Sequence, residues 1–372
     1  MTDYIVFTGG NYDNGIKGIE QYLPERLAAS GNKVVSIEYP RFRNLLFALT
    51  DGYRRIEGSR NLIKIRSVGL PFGRKIPSIN RFNHMLNWTV ISKLVKIDKP
   101  SVISFTPEYS YIQHLINPRK LIYYVTDNYF SLPFWRNFHS ELKRLEQRVL
   151  AISDRIITVS PVLVRYFSQN HPRVTLFRNP VDLSELIISS KNIKSKKRLA
   201  SGIKKVGFIG GLYEWKIDKK LILQLLSNYP GISFVFAGIW QLNENRLTHQ
   251  ILSKPNFKYT GFIDNKYLGR FIYECDACII PYKSDSWGKS AFPAKIYQFL
   301  YFGKPVVTTE LPSLAYLGKR NLIYYASDYD LFIRFLGLAL NEKKGDKYNS
   351  RRYEAVRNSW PVRLKKLMTI IN

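Results

Sequence analysis

Lys205-Val-Gly-Phe-Ile209 is a short apolar run that stops at Gly210-Gly211. A helical pattern over Lys219–Ser227 follows, then a second apolar run, Ile232-Ser-Phe-Val-Phe236, closed by Ala237-Gly238. Strand, glycine turn, helix and strand in that order make a βαβ unit, whose two strands run parallel. The chain opens on the same pattern. Tyr4-Ile-Val-Phe-Thr8 meets Gly9-Gly10, a helix around 17–30 ends at Gly31, and Lys33-Val-Val-Ser-Ile-Glu-Tyr39 comes next. Two halves that open alike predict two α/β domains, each a parallel sheet covered by helices.

The alternation continues outward from these two openings. Val102–Phe105, Leu121–Val125, Arg155–Val159 and Val174–Phe177 read as strands, and Glu141–Ile152 as a helix. Ser160-Pro161 opens another helix, with serine as its cap and proline at the first position. The second half adds strands near 257–260, 277–280 and 305–308. Residues 189–205 are rich in Ser and Lys and read as a linker. With 372 residues, the chain exceeds the roughly 250–300 that one core sustains. The expected domains are therefore residues 1–185 and 200–352.

Composition bounds the partners. Hydrophobic residues are 45% and charged residues 23%, as in ordinary globular chains. Yet 57 Lys and Arg face 28 Asp and Glu, a formal charge of +29. Such a balance fits nucleic acid, an anionic membrane or an anionic small substrate. No helix-turn-helix, zinc finger or RNP-like motif accompanies it, so nucleic acid is not expected. The region 41–100 carries thirteen Arg and Lys against three Asp and Glu. Phe42, Leu45, Leu46, Phe47, Leu49 and Tyr53 are interleaved there. Basic charge attracts anionic lipid by about 1 kcal/mol per residue, and neighbouring apolar side chains can insert. No apolar run reaches the roughly 18–20 residues of a membrane span, and no signal-peptide pattern opens the sequence. Two cysteines make no disulfide framework. The expected location is the cytoplasm, peripheral on the inner face of the cell membrane. Cys275 and Cys278 have C-x-x-C spacing without a second ligand pair, and their context reads as a helix end entering a buried strand.

Three segments together carry a family resemblance. They are Asp154-Arg-Ile-Ile-Thr-Val-Ser-Pro161 with Arg178-Asn-Pro-Val-Asp182 downstream, Gly207-Phe-Ile-Gly-Gly-Leu-Tyr-Glu-Trp-Lys216, and Phe292-Pro-Ala-Lys-Ile-Tyr-Gln-Phe-Leu-Tyr-Phe-Gly-Lys-Pro-Val-Val307. They resemble the GT-B glycosyltransferases of bacterial polysaccharide synthesis. The layout is similar to family 4 of these enzymes. That family places Glu-x7-Glu across the third segment, where this chain has Ser290 and Gln298. The Lys295-x-x-Gln298 spacing instead resembles the metal-independent membrane glucuronosyltransferase of xanthan synthesis. The resemblance implies two Rossmann-like domains with parallel sheets facing across a cleft. It also implies a tail helix, 353–372, that joins the first domain. Trp360-Pro361 is expected to kink or break that helix, because proline removes a helix hydrogen bond.

Glycosyl transfer needs charge at the leaving diphosphate and a base for the acceptor hydroxyl. Lys295, in a first helical turn, is the expected cation. Gln298 lies one turn on, on the same face, and is expected at the ribose or uracil. Tyr282, Gly210, Gly211 and Leu212 complete the expected donor site, with Lys216 as a secondary candidate. The resemblance and the strand-end position both make Asp127 the expected base. Glu108, Gly9 and Gly10 are further candidates. Asp328-Tyr-Asp330 has a metal-binding spacing, but it opens a helical pattern where acidic residues suit the helix dipole. No metal or other cofactor is expected. The expected co-substrate is a nucleoside diphosphate sugar, UDP-linked, and the acceptor a lipid-linked sugar or a polysaccharide. The rival readings are a retaining family 4-like enzyme, a non-catalytic GT-B scaffold and a basic nucleic-acid-binding protein.

Overall fold

The computed structural model describes residues 2–10, 18–44, 55–56, 60–73, 75–95, 97–184, 186–187, 202–343, 345 and 347–372. Leu45, Leu46, Phe47, Leu49, Tyr53 and most of the expected linker lie outside them. The chain divides into two compact units: Met1–Val159 with Leu163–Phe177, and Ser160–Val162 with Arg178–Ile370.

The first unit is built on eight strands: β1 (Asp3–Phe7), β2 (Lys33–Ile37), β3 (Arg55–Ile56), β4 (Leu62–Ile65), β5 (Ser101–Ser104), β6 (Lys120–Val125), β7 (Arg155–Thr158) and β8 (Val174–Leu176). They lie in the order β3-β4-β2-β1-β5-β6-β7-β8. Every neighbouring pair is parallel except the short antiparallel pair β3 and β4. Tyr4–Phe7 and Leu121–Val125 are buried without alternation, as strands covered on both faces must be. The helix His139–Ile152 places Leu142, Leu145, Glu146 and Val149 on its buried stripe. From β1 the chain moves to one side through β2 and returns to the other at β5. The carboxyl ends of β1 and β5 therefore flank a topological switch point.

The second unit repeats the plan with β9 (Lys205–Ile209), β11 (Ser233–Ala237), β13 (Phe257–Tyr259), β14 (Ala277–Ile280), β15 (Val306–Thr309) and β16 (Tyr324–Ala326). Their order is β13-β11-β9-β14-β15-β16, and all pairs are parallel. Here the switch point lies between β9 and β14. A separate two-stranded pair, β10 (Leu212–Tyr213) and β12 (Trp240–Gln241), extends from the ends of β9 and β11. Cys275 caps the helix Asn265–Glu274, and Cys278 sits in β14. Both are buried thiols, and burial pushes the Cys278 thiol well up from its ordinary value. A Cβ at Gly207 would fall 2.3 Å from Cys275 Sγ, so glycine in β9 gives this cysteine its seat. The C-x-x-C spacing thus serves packing.

The C-terminal segment is two helices, Tyr348–Arg357 and Trp360–Ile371, broken at Asn358–Ser359 with Pro361 in the first turn of the second. Of this tail, Ile371 groups with the first unit and residues up to Ile370 with the second. Buried Arg351 fixes the first helix there, donating to the Leu322 carbonyl at 2.8 Å and to the Glu342 carboxylate at 2.5 and 2.9 Å. Ser359 pairs with Val181, and the Trp360 amide donates to the Val181 carbonyl at 3.1 Å. These bonds also explain why Arg178–Ser184 leaves the first unit. Among the described residues, no helix is long and apolar enough to cross a membrane.

Candidate active site

At the carboxyl end of β9 the chain must turn sharply, and Gly210 does so with φ of +134°. A Cβ there would lie 2.1 Å from Lys295 Nζ, so the missing side chain makes room for the lysine. Lys295 is the first residue of the helix Lys295–Tyr301, and its ammonium donates to the Ile209 carbonyl. The same ammonium stands 4.4 Å from the Phe208 ring centre and 5.3 Å from that of Tyr282. Lys216 Nζ lies 4.7 Å from the Tyr282 ring, 5.7 Å from Tyr213 and 5.8 Å from Trp287. Two cations thus share one aromatic wall. Burial, and then the charge of Lys216, hold the Lys295 amine well below the ordinary lysine range. An anion bound here would favour the charged form of the lysine and so oppose both causes.

Of the other expected donor residues, Tyr282 lies against both lysines. Tyr282 follows β14, is 2% exposed, and accepts a hydrogen bond from Thr309 Oγ1 at its carbonyl, 2.7 Å. Gln298 is half-buried, one turn after Lys295. Gly211 continues the turn into β10. Leu212 is buried, and its amide donates to the Ile239 carbonyl at 2.8 Å, so it shapes the turn from behind. Ser290, at one of the family's glutamate positions, is buried and donates to the Trp287 carbonyl at 2.8 Å. Neither it nor Gln298 supplies a carboxylate. Trp287 is the residue that sequence reading missed. Its ring packs on Tyr282 at 5.5 Å and on Trp215 at 4.7 Å. Only the aromatic density around Trp215 and Trp287 could have signalled it.

The switch point of the first sheet is acidic instead. Asp127 stands two residues beyond β6, half-buried at the start of an aromatic turn. Glu108 lies in the turn Pro107–Tyr111 after β5 and is fully buried. The Gly10 amide donates to Glu20 Oε2 at 2.8 Å. The first Gly-Gly turn therefore holds a carboxylate on its amide, where a phosphate site would need that donor. Tyr129 collects all three charges. Burial first, and then Glu20, Asp127 and Glu108, push its phenol well above the ordinary value. Its hydroxyl donates to the Phe105 carbonyl at 2.5 Å. Of the two candidate bases, Asp127 is partly exposed to solvent and Glu108 is not. Glu20 was read from sequence only as a helix residue; its place in the first turn after Gly-Gly was the available signal.

Asp328 caps the helix Tyr329–Asn341, accepting from the Leu331 amide at 2.8 Å, which accounts for the Asp-x-Asp spacing. Among the described residues, no group of three or more His, Cys, Asp or Glu could hold a metal ion. A cavity of about 260 Å³ in the first unit is lined by Ile5, Val35, Lys99 and Pro100. Pro100 precedes β5, so this cavity lies away from the carboxyl ends where ligands bind such sheets.

The family described as glycosyl transferases group 1 matches residues 203–336, from the approach to β9 into the helix Tyr329–Asn341. This segment of the second unit is similar to the group 1 glycosyltransferases. The matched segment holds Lys216, Tyr282, Lys295 and Gln298. The Bacillus subtilis protein TuaH, whose name assigns it as a glycosyltransferase to teichuronic acid biosynthesis, is 28% identical over 236 residues. The match spans 61% of this chain and 59% of TuaH. Sucrose-phosphate synthase of Thermosynechococcus elongatus shares the fold with a TM-score of 0.75 at 12% identity, covering 99% of this chain and 98% of its own. Anabaena HepE, solved in complex with UDP, has a TM-score of 0.69 at 13% identity, with 99% of each chain covered. The chain has the GT-B fold, with two Rossmann-like sheets.

Proposed function

We propose that the chain transfers a sugar from a UDP-linked donor to a lipid-linked or saccharide acceptor in bacterial polysaccharide synthesis. The observation that carries this reading is the Lys295 ammonium at the β9–β14 switch point, inside the segment that matches the group 1 glycosyltransferases. UDP bound to HepE and the name of TuaH support the nucleotide and the pathway class. The Lys295-x-x-Gln298 spacing supports glucuronic acid as the sugar. Lys295 and Lys216 neutralise the diphosphate, so the transfer is proposed to run without metal and to survive EDTA.

The proposed reaction is a single displacement. The acceptor oxygen attacks the anomeric carbon from the face opposite the diphosphate. The bond from that carbon to the phosphate oxygen breaks, and the diphosphate leaves with the electron pair. Asp127 takes the acceptor proton. Asp127→Asn is expected to cut turnover by about 10²- to 10⁴-fold, the usual contribution of general-base catalysis. The product is expected to have inverted configuration, read from the NMR coupling of its new anomeric proton. Retained configuration would reject Asp127 as base and favour a family 4-like course.

A further inference from the structure

The helix Pro77–Leu94 buries a stripe of polar side chains. Its buried face carries Asn80, Asn83, His84 and Asn87 before reaching Ile91. Its outward face carries Phe82, 51% exposed, and Leu86, 42% exposed. Surface helices ordinarily turn their apolar stripe inward. The buried asparagines fasten the segment that precedes the helix. Asn87 accepts from the Val68 amide at 2.9 Å and donates to the Val68 carbonyl at 2.6 Å, while Asn83 accepts from the Leu70 amide at 2.9 Å. So pinned, this segment leaves Leu70 42% exposed and Phe72 64% exposed. Phe72 has φ of +60°, a strained conformation for a bulky side chain. The Lys75 and Ile76 amides lock it there by donating to its carbonyl at 2.7 and 3.0 Å. Phe42, 47% exposed, is tied to the same segment, because Arg41 pairs with Val68 and accepts from the Gly69 amide at 3.1 Å. These apolar groups are held outward by bonded backbone.

Charge selects what covers them. From Arg60 to Ile97 there are eight Lys and Arg and no Asp or Glu. Lys75 and Arg81 are exposed among the apolar residues, and Lys93 on the last turn of the helix. An apolar patch ringed by one sign of charge matches an anionic lipid surface, where chains accept the rings and headgroups meet the cations. We propose that Phe42, Leu70, Phe72, Ile76, Phe82 and Leu86 form a membrane-docking surface, with Lys75 and Arg81 at the lipid phosphates. This surface stands independently of the proposed transfer.

The test uses the full chain and phosphatidylcholine vesicles with or without phosphatidylglycerol, at low and high salt. Wild-type protein should sediment with the mixed vesicles at low salt and stay in solution with phosphatidylcholine alone. Phe72→Ser/Phe82→Ser and Lys75→Glu/Arg81→Glu should each lower partitioning by about tenfold or more, with thermal unfolding and donor turnover in solution unchanged. Phe72→Trp should be quenched by brominated lipid beyond the quenching of the wild type. This last readout decides the matter even if a double variant fails to fold. No binding to anionic vesicles, equal binding by both double variants, or an unquenched Trp would overturn the proposal. A dimer broken by Phe72→Ser/Phe82→Ser without loss of vesicle binding would assign the face to a second copy instead.

Discussion

Gly210 and Lys295 are 85 positions apart in sequence and occupy one another's space, the lysine filling the volume a Cβ would take. Gly210→Ala must therefore move the ammonium and adopt a backbone angle that L residues avoid. It is expected to destabilise the chain by about 1–3 kcal/mol, visible as a lowered midpoint of thermal unfolding, and to weaken UDP binding as well. Lys295 also sets a pH dependence. Its amine loses its proton below the ordinary lysine range, and only the charged form attracts a diphosphate. UDP affinity should fall as pH rises through that lowered value, by up to tenfold per pH unit. Lys295→Ala should abolish this dependence; a slope that persists in the variant would refute the assignment. The sequence made Lys295, Tyr282 and Asp127 legible as strand-end and helix-start residues. It did not disclose Glu20 or Trp287, whose contacts with Gly10 and with Trp215 are brought about by the fold.

Among elements, the parallel strands were the most legible, because strands buried on both faces are continuous apolar runs. Lys205–Ile209 and Ala277–Ile280 have the bounds that the residues suggest. β4, Leu-Ile-Lys-Ile, was hidden by its lysine, which reaches out to pair with Glu25 at 2.8 Å. The helix Pro77–Leu94 was hidden for a different reason: its inward stripe is asparagine and histidine, so apolar periodicity points the wrong way. The helix His139–Ile152 was legible, but the buried carboxyl on its inner face was not read as a titrating group. Burial raises Glu146 from about 4.5 to about 7, opposed in part by the hydrogen bond from Tyr166 at 2.9 Å. The folded state then binds this proton more tightly than the unfolded state. Stability should fall as pH rises from about 4.5 to about 7 and level off above. Glu146→Gln should flatten that decline and stabilise the chain at pH 8 by about 1–3 kcal/mol, an order-of-magnitude figure from the size of the shift. Denaturant titrations across the pH range would show it, and an unchanged slope would contradict it.

For the whole molecule, duplication of one pattern at residues 4–10 and 205–211 was enough to place two parallel sheets, each with a switch point beside its glycine turn. What differs between the two switch points is charge. The first gathers Glu20, Glu108 and Asp127 around Tyr129, and the second gathers Lys216 and Lys295 around Tyr282. Arg351 and Trp360 in the tail are held by long-range bonds that no local pattern encodes. The proposed division of labour puts the diphosphate on the basic switch point and the acceptor proton on the acidic one. Calorimetric titration of UDP into wild type, Lys295→Ala and Asp127→Asn, with EDTA present, tests it most directly. A charged hydrogen-bond partner is worth about 1.5–3 kcal/mol, so Lys295→Ala should weaken UDP by about tenfold or more. Asp127→Asn should leave the affinity within about twofold of wild type, well under the 1.4 kcal/mol of a tenfold change. Equal affinity for wild type and Lys295→Ala, or loss of UDP binding in Asp127→Asn, would contradict the account.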